Sequence, residues 1–366
     1  MRPANEQDLA ELVRGASGPL VVRGGGTRAV GRPVLGDVVQ TVGLSGITLY
    51  EPGALTLVAQ AGTPLAEVEA ALAREGQRLP FEPMDMRALL GTTGEPSLGG
   101  MVSANASGPR RVQAGACRDS LIGVRFVDGS GTIVKNGGRV MKNVTGYDLV
   151  KVMAGAWGTL GILTECSFKL LPVPETQATL VSDVVTPEQA VRLMSQALGT
   201  PFEVNGAARQ ADGRVALRIE GFAQQVAYRT GALRTALGGA WEVIEGPASA
   251  ALWRAIRDVT DFAGQAGDVW RISVRPSDAP GIVARADCPV VLDWGGGLIW
   301  ALSREGRDLR ADLGAFNGHA TLIRGSEATR AALPVFQPEA APVAALAQGL
   351  RARFDPRGVL NPGLMG

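Results

Sequence analysis

The residues best suited to chemistry lie in three glycine-rich stretches and one group of cations. Val22-Arg23-Gly24-Gly25-Gly26-Thr27 closes a short apolar run with three consecutive glycines. Such a loop turns its N–H groups toward an anion with no Cβ in the way, which suits a phosphate or pyrophosphate, although a plain tight turn uses the same residues. The Gly-x-Gly-x-x-Gly fingerprint followed by an apolar helix is missing, and no Gly-Lys-Ser/Thr follows for a Walker loop. Residues Gly91 to Gly108 (GTTGEPSLGGMVSANASG) combine glycines and hydroxyls with Leu98, Met101 and Val102. A disordered linker has no use for those apolar residues, whereas a backbone surface pressed against a flat, polar ligand does. The third stretch runs from Lys142 through Gly146-Tyr147-Asp148 to Gly155-Ala156-Trp157-Gly158-Thr159-Leu160-Gly161-Ile162. It reads as a helix that ends at glycine and re-enters a strand, and equally as an ordinary cap and turn. Arg254, Arg257, Arg271 and Arg275 crowd around Trp253 and Trp270, and arginine is the preferred bidentate partner of a carboxylate. Strand alternation puts Arg271, Ser273 and Arg275 on one face. His319 is the single histidine and, by its ordinary pKa, a natural base, although a lone histidine also serves structure.

These residues need elements to position them. Asn5 to Gly15 predicts an amphipathic helix with Asn5 as cap, and Leu20 to Arg23 a strand running into the first glycine loop. Thr56 to Ala61 alternates as a strand, and Thr63 to Glu75 follows as a helix with Thr63 as cap and Pro64 at its first position. Leu90 to Gly115 predicts backbone without a regular element. Leu121 to Phe126 and Thr132 to Val134 read as strands joined through Asp128-Gly129-Ser130-Gly131, and Gly161 to Leu171 as another. Beyond Pro172-Val173-Pro174-Glu175 the grammar changes. Thr186 to Leu198 reads as a helix with Thr186 as cap and Pro187 first, Arg214 to Glu220 as a strand, Gln224 to Leu237 and Val343 to Phe354 as helices. That mixture is α+β.

Composition narrows the function classes. A chain of 366 residues exceeds the size of one typical core, so two packed units are expected. Lys plus Arg is 36 against 35 for Asp plus Glu, which leaves no field to attract nucleic acid. Charged residues are 19% and hydrophobic ones 46%, a balance that suits some surface covered by a partner. Cys117, Cys166 and Cys288 are odd in number and form no CxxC pair, so a reducing compartment is expected, and the chain has too few cysteines to ligate an iron–sulfur cluster. No apolar run approaches the length of a membrane span, and no transmembrane segment is expected.

Taken in order, the three stretches resemble the vanillyl-alcohol oxidase, or PCMH-type, FAD-binding family over residues 1 to about 175. The resemblance implies FAD, with Arg23, Gly24, Gly25, Gly26 and Thr27 at the pyrophosphate. It places Ser97, Gly99, Gly100, Ser103, Asn105 and Gly108 beside the isoalloxazine and ribityl groups, and Gly158, Gly161 and Ile162 at the adenine end. The terminal Phe354-Asp355-Pro356-Arg357-Gly358-Val359-Leu360-Asn361-Pro362-Gly363 is typical of the family's D-2-hydroxyacid branch, and adds Asn361 to the cofactor contacts. Ser107-Gly108-Pro109-Arg110-Arg111, Met141 to Asp148 and Gly318 to Gly325 make the chain similar, within that branch, to the FAD-binding subunits of bacterial glycolate oxidases. The paired-histidine metal motif of the branch's D-lactate and D-2-hydroxyglutarate dehydrogenases is absent, because His319 stands alone. No metal is expected. Thr27 and Arg28 stand where a histidine would tether the flavin, so FAD is expected to be noncovalent; a thioether to Cys117 is the minor alternative.

The resemblance implies an α+β architecture in three parts: a two-subdomain FAD-binding domain (1–175), a smaller α+β cap (176–337), and a C-terminal segment (338–366) that returns to the FAD domain. Oxidising a 2-hydroxy acid needs hydride transfer to flavin, an acceptor for the hydroxyl proton and a cation for the carboxylate. His319 is the candidate base and Arg271 or Arg275 the candidate cation, with Tyr147 and Lys142 as alternatives. The implied partners are a catalytic GlcD-like flavin subunit and a GlcF-like iron–sulfur subunit, in the cytoplasm or peripheral to the inner membrane through those partners. Two other functions stay open: a subunit that binds FAD without turning over substrate, and a self-sufficient FAD oxidase of another alcohol or sugar acid.

Overall fold

The computed structural model describes residues 1–138 and 146–366. The Lys142 to Thr145 part of the third stretch, and Met141 before it, lie outside them. The Glu6–Gly15 helix is capped by Asn5, whose Oδ1 accepts from the Asp8 N–H at 2.9 Å, and it buries Leu9, Ala10 and Val13. Strands β1 (Leu20–Arg23) and β2 (Asp37–Gln40) pair in parallel beside it. Next come β3 (Ile47–Glu51), β4 (Thr56–Gln60), β5 (Gln77–Arg78), β6 (Leu121–Val127), β7 (Ile133–Gly137), β8 (Ile162–Lys169) and β9 (Leu171–Pro172). Five of them form an antiparallel sheet in the order β3-β4-β8-β6-β7, while β5 and β9 make a separate pair.

Two local expectations change. The helix predicted from Thr63 runs Leu65–Arg74 and has no side-chain cap, because the Thr63 hydroxyl donates instead to the Gln60 carbonyl at 2.7 Å and accepts the Gly46 N–H at 2.9 Å. Residues 90–115 are not irregular throughout: Leu98–Ser103 is a short helix capped by Ser97, whose Oγ accepts the Gly100 N–H. A glycine pair in that helix weakens its sequence signal.

The remaining strands, β10 (Thr176–Val184), β11 (Gly206–Arg209), β12 (Arg214–Gly221), β13 (Trp241–Glu245), β14 (Asp268–Val274), β15 (Val290–Asp293), β16 (Leu298–Ser303) and β17 (Gly318–Arg324), form one antiparallel sheet. Its order is β13-β10-β12-β11-β15-β16-β14-β17. Side chains alternate across a strand, so register assigns each to a face. Leu217, Leu292, Ile299, Ile272 and Ala320 share one face, buried with the Pro187–Leu198 and Ala279–Ala286 helices. Val291 pairs with Trp300, Trp300 with Arg271, Arg271 with Thr321, and Ser273 with His319, so these residues and Asp293 line the opposite face. Arg218 and Glu220 of β12 lie on that same face nearer the other edge.

The last residues fold back on the first. Phe354, ending the Ala341–Phe354 helix, packs on Phe126, and both carboxylate oxygens of Asp355 hold N–H groups of Val359 and Leu360. Leu360 bridges Leu20 in parallel, adding a third line of backbone beside β1, and Arg357 ties the carbonyls of Val13 and Gly129 together.

Candidate functional site

The first glycine loop meets the second stretch backbone to backbone. A Cβ at Gly24 would stand 2.2 Å from the Ser97 Oγ, one at Gly25 1.4 Å from the Glu95 carbonyl oxygen, and one at Gly94 1.7 Å from the Gly25 carbonyl oxygen. No side chain fits there, which is why glycine is required. Gly26, at φ +74°, has open space instead. The N–H groups of Gly25, Gly26, Thr27 and Arg28 meet no acceptor among the described residues. Arg28 is buried behind this loop, donates from Nη2 to the Met84 carbonyl at 3.1 Å, and leaves its buried Nε unpartnered. Burial lowers its guanidinium to about 10, opposed by Asp85.

The C-terminal segment completes this wall. Asn361 accepts the Val22 N–H at 2.8 Å and donates to the Trp157 carbonyl at 2.9 Å, while a Cβ at Gly158 would press on its Nδ2 at 3.0 Å. The Trp157 N–H in turn reaches the Ser103 carbonyl at 3.0 Å. Asn105, Trp157 and Asn361 all hold positive φ (48°, 52° and 43°), a conformation that side chains adopt only when surroundings impose it. Unpaired amides, a glycine cradle and an orphaned buried guanidinium nitrogen fit an anionic cofactor such as FAD.

Some residues from the expected set have packing duties instead. Gly99 presses on Ala61, Gly108 on the Glu82 carbonyl and the Arg257 side chain, and Gly161 on Phe126 and Met153. Ile162 is core, packed with Leu9, Leu20 and Val39. Cys117 is buried in the core of the five-stranded sheet, where desolvation raises its thiol well above the usual range. Tyr147 is exposed.

Facing the second stretch is the polar face of the eight-stranded sheet. Trp294, just after β15, donates from Nε1 to the Gly108 carbonyl at 3.0 Å and so reaches the second glycine stretch. Two guanidiniums lie over its ring, Arg111 at 4.4 Å and Arg271 at 5.1 Å from the centroid. Neither has a carboxylate or carbonyl partner among the described residues. Burial, then the charge of Arg111, lowers Arg271 to about 10, with Asp293 opposing. His319 stands at the solvent end of the same face, and partial desolvation with the charges of Arg271 and Arg111 lowers its pKa. Arg275 does not join them. β14 ends at Val274, so alternation stops before it, and its exposed side chain pairs with Asp278 at 3.1 Å.

Sequence reasoning missed Arg111 and Asp293. Arg111 belongs to a four-residue helix too short to show periodicity. Asp293 had a legible signal: it ends a strand before Trp294-Gly295-Gly296-Gly297, the strand-then-glycine grammar of the first loop. On the far side of Gly108 a cavity of about 500 Å³ is lined by Arg78, Glu82, Arg218, Trp253, Arg254 and Arg257 among others. In its wall Arg218 grips Glu82 bidentately at 2.7 and 2.9 Å and Asn205 at 2.8 Å, while Arg78 and Arg110 both hold Glu220.

Residues 1–137 match the family model described as "FAD binding domain". The whole chain superposes on alkyldihydroxyacetonephosphate synthase with a TM-score of 0.71 at 15% identity, covering 99% of this chain and 76% of that one, a likeness of fold alone. With its PCMH-type fold, the chain is an FAD-dependent oxidoreductase. It is 36% identical to the glycolate oxidase subunit GlcE of Escherichia coli over 95% of this chain and 92% of that one. The Bacillus subtilis glycolate oxidase subunit GlcD is 32% identical, but over only 49% of this chain and 38% of its own length. The chain belongs to the family of the glycolate oxidase subunit GlcE.

Proposed function

We propose that this chain is the FAD-binding subunit of a glycolate-type oxidase or dehydrogenase acting on small D-2-hydroxy acids. The observation that carries the reading is the pair of unpaired guanidiniums, Arg111 and Arg271, beside Trp294, on a wall tied by hydrogen bond to the glycine stretch at Gly108. Two desolvated cations without partners are a receptor for a carboxylate. FAD, held noncovalently, supplies hydride acceptance. The amides of residues 25–28 and Arg28 hold its phosphates, and the wall of Ser97, Ser103, Asn105 and Trp157 lies along its flavin end. Residues 1–175 hold the cofactor, 176–337 cap it, and 338–366 lock the first unit. His319 borders the entrance.

The word subunit in the names of the GlcE and GlcD relatives supports assembly with a second, GlcD-like chain; a GlcF-like iron–sulfur chain taking the electrons onward, in the cytoplasm or peripheral to the inner membrane, belongs to the same proposal. No helix among the described residues is long and apolar enough to cross a membrane.

The test is the visible flavin absorbance of the purified chain under anaerobic conditions, before and after glycolate or D-lactate. Yellow protein that bleaches supports the reading, and Arg271→Met then raises the half-saturating substrate concentration by about a hundredfold, the worth of a charge-assisted bidentate pair. Yellow protein that stays oxidised overturns turnover by this chain and leaves a relay or scaffold subunit. Folded but colourless protein overturns the cofactor assignment.

A further inference from the structure

We propose that Asp293 takes the proton from the substrate's 2-hydroxyl group, an inference that rests on the reading of the Arg271 face as the substrate site. The C2–H bond breaks with its electron pair passing as hydride to the flavin, the O–H bond breaks with its proton passing to an Asp293 oxygen, and the oxygen's freed pair closes the C2=O bond. The 2-hydroxy acid becomes a 2-oxo acid, the flavin is reduced by two electrons, and Asp293 becomes neutral.

Position is the first argument. Asp293 ends β15 on the face that carries Trp300 and Arg271, and the next residue, Trp294, carries the two unpaired guanidiniums. A base here lies beside the carboxylate receptor, where the hydroxyl of a 2-hydroxy acid must also fall, because only one carbon separates the two groups.

Second, little of the fold engages the carboxylate. Asp293 is buried, yet its one hydrogen bond is from the Trp294 N–H to Oδ1 at 2.6 Å. Its Oδ2 has no partner among the described residues, and no cation there stands within ion-pair distance. Among the described residues Glu82 is gripped by Arg218, Glu220 by Arg78 and Arg110, and Asp355 by two amides, whereas buried Asp268, like Asp293, accepts a single backbone N–H, from Gly306; of these two only Asp293 adjoins the unpaired guanidiniums. Oδ2 is not among the atoms sealed in the interior without a partner, as Trp270 Nε1 is, so it is open to a ligand on this face.

Third, the chain bends sharply to hold it there. Trp294, Gly295 and Gly296 take consecutive left-handed conformations (φ 53°, 67° and 102°), the first in a residue with a bulky side chain. Strain of this kind persists where surroundings over-determine it. The charged groups around Asp293 are Glu82, Arg218 and Arg271, and Arg271 in turn lies near Arg111 and His319. Burial, helped by Glu82 and opposed by the Trp294 N–H and the two arginines, raises its carboxyl to about 7. That value suits a general base near neutral pH.

Three measurements on the full-length, flavin-loaded chain test this. 2-Hydroxyisobutyrate has the carboxylate and hydroxyl but no C2–H, so it binds without reacting, and calorimetry reads its affinity. Asp293→Asn is expected to bind it within about threefold of wild type yet to bleach with glycolate or D-lactate at least about a hundredfold more slowly, the usual worth of a general base. The wild-type bleaching rate is expected to rise with pH through an acid limb near 7 that Asp293→Asn lacks. In the flavin-free chain, the infrared carbonyl band lost in Asp293→Asn is expected at pH below that value and absent above it. Wild-type bleaching in Asp293→Asn, or no titrating band, overturns the role of Asp293 and leaves the substrate site standing if Arg271→Met abolishes analogue binding. No analogue binding to the wild type, or binding indifferent to Arg271→Met, overturns the site itself. If asparagine prevents folding, Asp293→Glu decides: a tenfold or greater slowing with a displaced acid limb supports the role, and an unmoved limb overturns it, about tenfold being the low end for a misplaced base.

Discussion

Gly25 shows how little tolerance the cofactor wall has. A methyl group there would overlap the Glu95 carbonyl oxygen at 1.4 Å, and both neighbours are backbone, so nothing flexible can yield. Gly25→Ala is expected to fold with its two sheets intact by circular dichroism but to lose visible flavin absorbance on gel filtration. Asn361 is the counterpart on the other chain end. Replacing it with alanine removes two hydrogen bonds, leaves the Val22 N–H and Trp157 carbonyl without them, and puts a Cβ residue with no polar reach at φ +43°. The expected loss is about 2–4 kcal/mol in urea unfolding, at about 1–2 kcal/mol for each partner stranded. At this scale the sequence was legible where chemistry is local: the three glycines announce a backbone surface, and Arg271 stands on the strand face that alternation assigns it. Arg275 fails because alternation cannot tell where a strand stops. Arg111 and Asp293 acquire meaning only through Trp294, which lies far from Arg111 in sequence and beside it in space.

Elements follow sequence rules best where local forces have no tertiary rival. Thr186 is a capping box: its hydroxyl accepts the Gln189 N–H at 3.3 Å and Gln189 Oε1 accepts the Thr186 N–H at 2.9 Å, with Pro187 at the first turn. Thr186→Ala is expected to cost about 1 kcal/mol of stability, read as a lower urea midpoint at unchanged slope. Thr63 has the same neighbours, a following proline and an amphipathic run, yet its hydroxyl is taken by Gln60 and Gly46, contacts that only the folded turn provides. The sequence signal for both caps is the same, and tertiary competition separates them.

For the whole molecule, the contact between the five-stranded and eight-stranded sheets depends on charges no sequence window brings together. Glu82 and Arg218 are 136 residues apart, and their forked pair is buried with Asn205 behind it. Removing the cation alone strands Glu82 in the interior, so Arg218→Met is expected to lower stability by about 3–5 kcal/mol at neutral pH. Burial by itself would raise the Glu82 carboxyl, but Arg218 and then Arg110 outweigh it and hold it below the usual glutamate value. A depressed folded value means the contribution is complete above the unfolded glutamate's pKa and drains away as pH falls through the folded one. Acid unfolding followed by tryptophan fluorescence is therefore expected to lose its steepest part below the ordinary glutamate range in Glu82→Gln.

The parallel bridge from Leu20 to Leu360 also sets a timetable. Strand β1 is synthesised more than three hundred residues before the backbone at Leu360 that flanks it. Until residue 361 has been synthesised, Val22 has no Asn361 to receive its N–H, and the loop that follows has only one of its two supports. Nascent chains cut short before residue 355 are expected to carry a folded eight-stranded sheet and an open first loop, so that the loop acquires its competence only once residues 355–361 have emerged from the ribosome.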